Sequence, residues 1–408
     1  MAEQITFFNT FEEPIALFET LLPRLDAAGV RARAVISAGR YRQTPWLEDP
    51  VQRRRYLRLA WVPGFQRRSK RACALWYWLL VPPRILFSRS RLHVLLTEPP
   101  FLFALGVWLS RLRRIPCAVF IMDLHLDTAA ALGLVRVGSP LYRLLDAATR
   151  WGLRHADRVW ALGRCMQERL LAKGVAAERL RLAPLWALPA AQRPPAEPNR
   201  FLAAHGWEGK FLVLYSGNMG LGHELRTVLE AAARLRDCRD MLFVFAGYGG
   251  RRAEVASAIA AGADNVRLLD FQPEDWLADM LAAAGAHFVS LRPGCEGAVV
   301  PSKFFGALAS GRPVLYEGRA EGEVARLIRE LGCGRVIAPR DTAALCEALL
   351  AYRGDAALAR RDGAAGRAAF LARYTAEQGA QRCLALLREL LPAPPAEAGR
   401  AAAPGGAA

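Results

Sequence analysis

The sequence predicts an α/β protein made of two open parallel sheets, each covered by helices on both faces. Short apolar strands alternate with amphipathic helices along the chain, the order that parallel sheets need for their crossovers. The alternation halts between Pro184 and Pro198, where five prolines and no apolar period mark a linker, and then restarts. A chain of 408 residues, 53% hydrophobic and 23% charged, is long enough for two full cores and too apolar for disorder.

In the first half, residues 5–8 read as a strand. From Pro14 to Ala28, Ile15, Phe18, Leu21, Leu22 and Leu25 recur at helical spacing, with Pro23 inside the pattern and Gly29 closing it. Val30 to Ile36 reads as a second strand. A helix is expected from Lys70 to Leu80, within an apolar run that ends at Pro82-Pro83. Strands follow at 92–97 and 118–122, and a helix runs from Pro100 to Leu112. Further helices are expected over 141–155 and 166–172, around a strand at 158–162. In the second half, strands are expected at 211–215, 241–246, 265–271, 287–291, 313–316 and 335–338. Helices are expected at 224–235, at Trp276-Leu277, from Ser302 to Gly311, and at 321–331, 342–351, 356–374 and 377–391. The reading gives an N-terminal domain over 1–185, a linker over 186–200, a C-terminal domain over 201–375, a helix over 376–392 and a disordered tail from 393.

The net charge is +17, and it is concentrated: Val51 to Thr97 holds eleven arginines and lysines and no acid. Nucleic acid and an anionic membrane both suit such a segment. Trp61, Trp76 and Trp78 among the arginines favour the membrane, and the other reading is a buried helix with a solvated basic flank. The best apolar run, Ala72 to Pro83, falls short of the ~18 residues of a spanning helix, so peripheral attachment is expected. The N-terminus shows no basic-then-apolar leader, and the eight scattered cysteines form no CxxC pair. The expected setting is a reducing cytosol, at the inner face of the plasma membrane.

Candidate site residues lie beyond the carboxyl ends of the strands, where ligands of such sheets bind. Gly294 to Gly311 is a loop running into a helix, with Ser302 at the N-cap position and Lys303 in the first turn. A lysine there, among free N–H groups and the positive helix end, either seats a phosphate or is an ordinary solvated side chain near a cap. Only four of the 55 basic residues are lysines, which makes this one more informative. Gly217, Asn218 and Gly220, with His223 beyond them, form a small-residue loop fit for backbone contacts to phosphate. Asp270-Phe271-Gln272 is placed to read a base edge, and Arg292 opens the Lys303 loop. In the first half, Asp123, His125 and Asp127 stand at a strand end. His125 and Asp127 either act as an acid/base pair or orient a sugar hydroxyl, or are a surface histidine and a helix cap. Glu12 and Glu13 either approach an acceptor or cap the helix at Pro14. His93, His155, His205 and His287 show no metal-like grouping, and no metal site is expected.

Tyr215 to Gly220 with His223-Glu224, then Val300-Pro301-Ser302-Lys303 through Gly306, then Ala309 to Val314, resemble the family 4 group of glycosyltransferases. The nearest subgroup builds bacterial capsule, O-antigen or exopolysaccharide units. The resemblance implies a GT-B fold, two facing Rossmann-like domains with the donor held by the second. It implies retaining transfer from a UDP or GDP sugar to a lipid-linked saccharide, without an obligate metal. Lys303 would neutralise the leaving diphosphate, with Pro301 and Ser302 completing its motif. Asp123 and His125 would be catalytic, and Glu12 and Glu13 would meet the acceptor. Two glutamates common in the family correspond to Ala298 and Gly306 here, so Glu296 or Glu323 is expected to serve the donor instead. Many relatives carry a histidine where this chain has Met122. The rival readings are a non-catalytic partner subunit, a sugar-nucleotide epimerase and a nucleic-acid binder, the last disfavoured because the chain has phosphate loops and no nucleic-acid motif.

Overall fold

The structure is a computed structural model that describes residues 4–8, 15–37, 56–59 and 70–391. Its first half runs β1 (Ile5–Phe8), α1 (Ile15–Ala27), β2 (Ala32–Ser37), β3 (Tyr56–Leu59), α2 (Lys70–Leu86), β4 (Leu92–Leu96), α3 (Leu102–Leu112), β5 (Cys117–Phe120), α4 (His125–Ala131), α5 (Pro140–His155), β6 (Arg158–Ala161), α6 (Arg164–Ala172) and β7 (Leu180–Leu182). The strands form one parallel seven-stranded sheet in the order β3-β2-β1-β4-β5-β6-β7. β1 and β4 sit at its centre and are buried at every position, as strands covered on both faces must be. Phe7 meets Phe18 of α1 edge to face at 5.5 Å.

The second half holds α7 (Arg200–His205), β8 (Phe211–Ser216), α8 (Arg226–Arg234), β9 (Met241–Ala246), α9 (Arg252–Ala260), β10 (Val266–Leu269), α10 (Leu277–Ala282), β11 (Ala284–Ser290), α11 (Lys303–Ser310), β12 (Val314–Glu317), α12 (Glu323–Leu331), β13 (Gly334–Ile337), α13 (Thr342–Gly354), α14 (Ala356–Arg373) and α15 (Ala376–Arg388). Its six parallel strands run β10-β9-β8-β11-β12-β13. The order reverses between β8 and β11, so the loops after Ser216 and Ser290 flank the crevice where ligands of such sheets bind.

Several elements differ from expectation. The helix α2 continues through Pro82 and Pro83 to Leu86. Tyr77, Val81 and Ile85 are buried on one stripe, and the Arg84 guanidinium donates to the Leu80 carbonyl one turn back at 2.8 Å. Strands β3 and β7 and helices α4 and α7 were not expected; each is short enough to escape periodicity. Residues 51–55 and 60–69 of the basic segment lie outside the described residues, as do Glu12, Glu13 and the tail. Among the described residues no helix is long and apolar enough to cross a membrane.

The chain passes between the two sheets twice. The linker is pinned to Asp279 of α10, whose carboxylate accepts from the Ala196 N–H at 2.6 Å and pairs with Arg200 at 2.5 Å. Thr375 and Gln378 then form a capping box that starts α15. That helix returns to the first half, where Glu377 meets Arg24 at 2.5 Å and Glu389 meets Arg158 and Arg181 at 3.1 and 2.9 Å.

His93 of β4 and His287 of β11 are buried inside the sheets. Burial, helped by Arg113, pushes His93 down to about 4. Burial pushes His287 down to about 3. Each refuses in the fold a proton that it takes in the unfolded chain below its ordinary value of 6.5. Stability is therefore full above that value and falls as the pH drops toward 4. Thermal midpoints at pH 7.5 and pH 5 should show the loss, and equal midpoints would mean that both imidazoles are charged in the fold.

Candidate active site

Lys303 opens α11 with its half-buried ammonium aimed back across the crevice. It donates to the Tyr215 hydroxyl at 2.8 Å, the Asn218 carbonyl at 3.2 Å and His223 Nε2 at 2.9 Å. It also lies 4.4 Å from the centre of the Tyr215 ring. His223 Nδ1 donates to the Ser290 carbonyl at 2.6 Å, which leaves Nε2 as the acceptor that faces the ammonium. Burial, then Lys303 and Arg251, push His223 down to about 3, so it is neutral at physiological pH. Burial pulls Lys303 down to about 7, far below an ordinary lysine. None of its three partners is anionic, so among the described residues no carboxylate compensates its charge.

The turn under this ammonium is built from glycine. Gly217 has φ 118°, and a Cβ there would sit 3.7 Å from Lys303 Cε. Gly247, at φ 138°, lets the loop after β9 press on it; a Cβ at Gly247 would fall 2.2 Å from the Gly217 carbonyl. Arg251 locks the same loops together, reaching the His223 carbonyl, Glu224 at 3.0 Å and Glu254 at 2.7 Å. Glu224 was expected inside the helix. Instead its carboxylate accepts from the Leu225 and Arg226 N–H groups, both at 3.0 Å, at the start of α8. Ser302 holds the N-cap position of α11, but its backbone is already helical and its hydroxyl caps nothing, which corrects the expected cap. The Pro301 carbonyl accepts from Phe304 N at 3.2 Å and begins the helix. Gly311 closes it in the left-handed conformation, φ 68°.

Around this centre, Arg292 N–H donates to the Gly222 carbonyl at 2.8 Å and ties the two loops. Gln272 folds onto the Asp270 carbonyl at 3.1 Å. Phe271 is half-exposed and meets the exposed Tyr248 edge to face at 5.1 Å, making an aromatic rim. Glu296 Oε2 accepts from Gly294 N at 2.7 Å, while its Oε1 is buried with no hydrogen-bond partner among the described residues.

The first half meets this crevice directly. The Leu124 N–H donates to the Ala298 carbonyl at 2.9 Å, and Arg169 donates to the carbonyls of Gly294 and Glu296 at 3.2 and 2.7 Å. Asp123 is held by a bond from its N–H to Thr97 Oγ1 at 3.2 Å. His125 Nε2 lies 3.0 Å from Glu98 Oε1, and the polar ends of Glu98, Asp123 and His125 all lie within 4.8 Å of one another. Burial alone lowers the His125 imidazole, but Glu98 and Asp123 outweigh it and hold it above its ordinary value. Asp127 is neither acid/base partner nor cap: it pairs with Arg169 at 3.2 Å and Lys173 at 2.9 Å.

Glu323 is a second correction. Its buried carboxylate accepts from the N–H groups of Arg164 and Cys165 at 2.6 and 3.3 Å and pairs with Arg164 Nε at 3.1 Å. It caps α6 of the opposite half, so those oxygens are occupied and do not face a ribose.

Two family descriptions match the chain: "Glycosyl transferase 4-like domain" over residues 17–186 and "Glycosyl transferases group 1" over residues 210–355. The chain belongs to the family 4-like glycosyltransferases. This GT-B protein is 31% identical over 225 residues to WcaI of Escherichia coli (strain K12), named as a glycosyl transferase of colanic acid biosynthesis; the match covers 54% of this chain and 55% of that one. It is 27% identical over 255 residues to WbjE of Pseudomonas aeruginosa, named as a glycosyltransferase, covering 62% and 61%. These matches span little more than half the length of the curated relatives. The fold also matches Anabaena HepE, solved in complex with UDP, with a TM-score of 0.71 at 15% identity, covering 95% of this chain and all of that one.

Sequence reasoning missed four residues that the structure brings to this candidate site: Glu98, Tyr215, Tyr248 and Arg251. Tyr215 ends a strand and Tyr248 interrupts a glycine turn, so an aromatic at a strand's carboxyl end was the available signal. Glu98 and Arg251 carried none, because the crevice partners His125 and Glu224 each lie 27 positions away in the chain.

Proposed function

We propose that this protein is a retaining glycosyltransferase of surface-polysaccharide biosynthesis, moving a sugar from a nucleotide-diphosphate sugar to a lipid-linked saccharide without an obligate metal. The observation that carries the reading is the uncompensated Lys303 ammonium, fixed above the Gly217–Gly220 turn at the start of α11. A diphosphate is the ligand such a seat lacks, and charge gathering on the departing phosphates is where a barrier to transfer falls. Glu296 Oε1 would take a donor hydroxyl, and the Tyr248–Phe271 rim would meet the base. Asp123, His125 and Glu98 would face the reacting sugar from the first half. Retention and the lipid-linked acceptor rest on the family resemblance, and the name of WcaI accords with the pathway.

A thermal-shift panel with UDP, GDP, TDP and ADP tests the donor seat. A nucleotide at ~100 times its dissociation constant should stabilise the fold by ~2.7 kcal/mol, with EDTA present or absent. No shift with any of the four would move the reading to a non-catalytic partner subunit.

A further inference from the structure

The helix α4 starts at His125 in the crevice and ends at Ala131, about 10 Å away at ~1.5 Å per residue. There it touches the donor loop, where a Cβ at Gly294 would lie 3.2 Å from the Ala131 Cβ. Beyond that contact the chain turns outward. Leu134, Val137, Leu141 and Leu144 are 63%, 63%, 61% and 68% exposed, so four large aliphatic side chains stand in water within eleven consecutive residues. The C-terminal half of α5 is packed: Thr149, Gly152 and Leu153 are buried, and Gly152 lets the helix close on Ala104 of α3. Its N-terminal half buries none of its leucines. Isolated exposed leucines are ordinary, but a cluster of this size marks a contact surface.

Charge says what the surface contacts. Residues 128–145 contain no acid, and Arg136 and Arg143 stand exposed among the leucines. The flanking carboxylates are neutralised and turned inward, Asp127 by Arg169 and Lys173, and Asp146 by Arg150 and Lys173. Leucines interleaved with arginines in an acid-free stretch complement the interface of an anionic bilayer, where apolar side chains enter the acyl boundary and guanidinium groups meet phosphates. We propose that the α4–α5 corner, Leu134, Val137, Leu141 and Leu144 with Arg136 and Arg143, docks this protein on an anionic phospholipid surface and sets the mouth of the crevice against it. This rests on the reading of the crevice as a transferase site with a lipid-linked acceptor. It places membrane contact on a described, folded surface separate in sequence from the basic segment at 51–97. A lipid-borne saccharide would then enter the crevice along α4.

The test is flotation of the full-length protein with vesicles of 30% phosphatidylglycerol in phosphatidylcholine, at 0.15 M and 0.5 M salt. The triple variant Leu134→Ser/Leu141→Ser/Leu144→Ser should fold, because all three side chains are exposed; its thermal midpoint and its nucleotide-induced shift are controls. Expected is at least a tenfold loss of vesicle partitioning at both salts with the nucleotide shift unchanged. Partitioning within twofold of the natural chain would overturn the proposal and assign binding to another segment. So would a concentration-dependent dimer that forms without vesicles and vanishes in the triple variant, since the occupant would then be a second copy. Failure of the transferase reading looks different, as the nucleotide shift would be absent in both proteins whatever the vesicles do.

Discussion

Lys303→Ala is expected to lower kcat/KM for sugar transfer by roughly 10²–10³, the usual cost of removing one group that stabilises developing charge. The size follows from the arrangement. The ammonium is held by a hydroxyl, a carbonyl and a neutral imidazole, and none of them cancels its charge. All of its field is available to a departing diphosphate, in a crevice where water screens poorly. The fold should not suffer. Burial holds the lysine at about 7, so around neutral pH the fold already disfavours its charged form, and removing the charge leaves no strained partner behind. The same shift sets a pH dependence. Above about 7 the empty site loses its proton, whereas a bound diphosphate favours the charged form. Nucleotide binding must then take up a proton, and affinity should weaken by up to roughly tenfold per pH unit above that value. Calorimetry of nucleotide binding at pH 6.5, 7.5 and 8.5 in buffers of differing ionisation enthalpy reads both the slope and the proton. A flat affinity, or a Lys303→Ala variant that binds and turns over normally, would remove this lysine from the mechanism.

Glu323→Ala is expected to destabilise the fold by about 2–4 kcal/mol, because it strands two N–H groups at the start of α6 and unpairs one edge of Arg164. Arg164 retains Glu330 at 2.5 Å, which keeps the estimate from rising further. Since the bonds cross between the halves, urea unfolding should change in shape as well as in midpoint, with the two domains separating into distinct transitions. Glu323→Gln keeps one acceptor oxygen and should cost about half as much. The pair also tests the correction made above. If Glu323 gripped the ribose of the donor, Gln would weaken nucleotide binding while leaving stability alone; as a cap it should do the reverse.

Much of the architecture was legible because local chemistry and tertiary need agree. Phe7 lies in a short apolar run, and Leu21 and Leu25 lie one helical turn apart, so each announces its element. The Lys303 seat was legible for the same reason: a glycine turn, a helix start and a lysine are all short-range features. Ser302 shows the limit, since a residue of the right type at the right position left its hydroxyl unused. Pro82 and Pro83 show it again: the pull of Val81 and Ile85 into the core outweighed the two lost backbone donors.

The sequence by itself determined the two-sheet plan and marked the proline-rich break and the lysine that opens α11, because periodicity, proline content and helix-end chemistry act within a few residues. Only the tertiary structure decided which carboxylates line the crevice and which are held in structural pairs. Glu98 joined His125 across 27 positions of sequence, whereas Asp127 and Glu323 were drawn into structural pairs with Arg169, Lys173 and Arg164. A carboxylate has the same charge wherever it stands, and its role is set by the nearest cation or free N–H, which the fold brings in from another part of the chain.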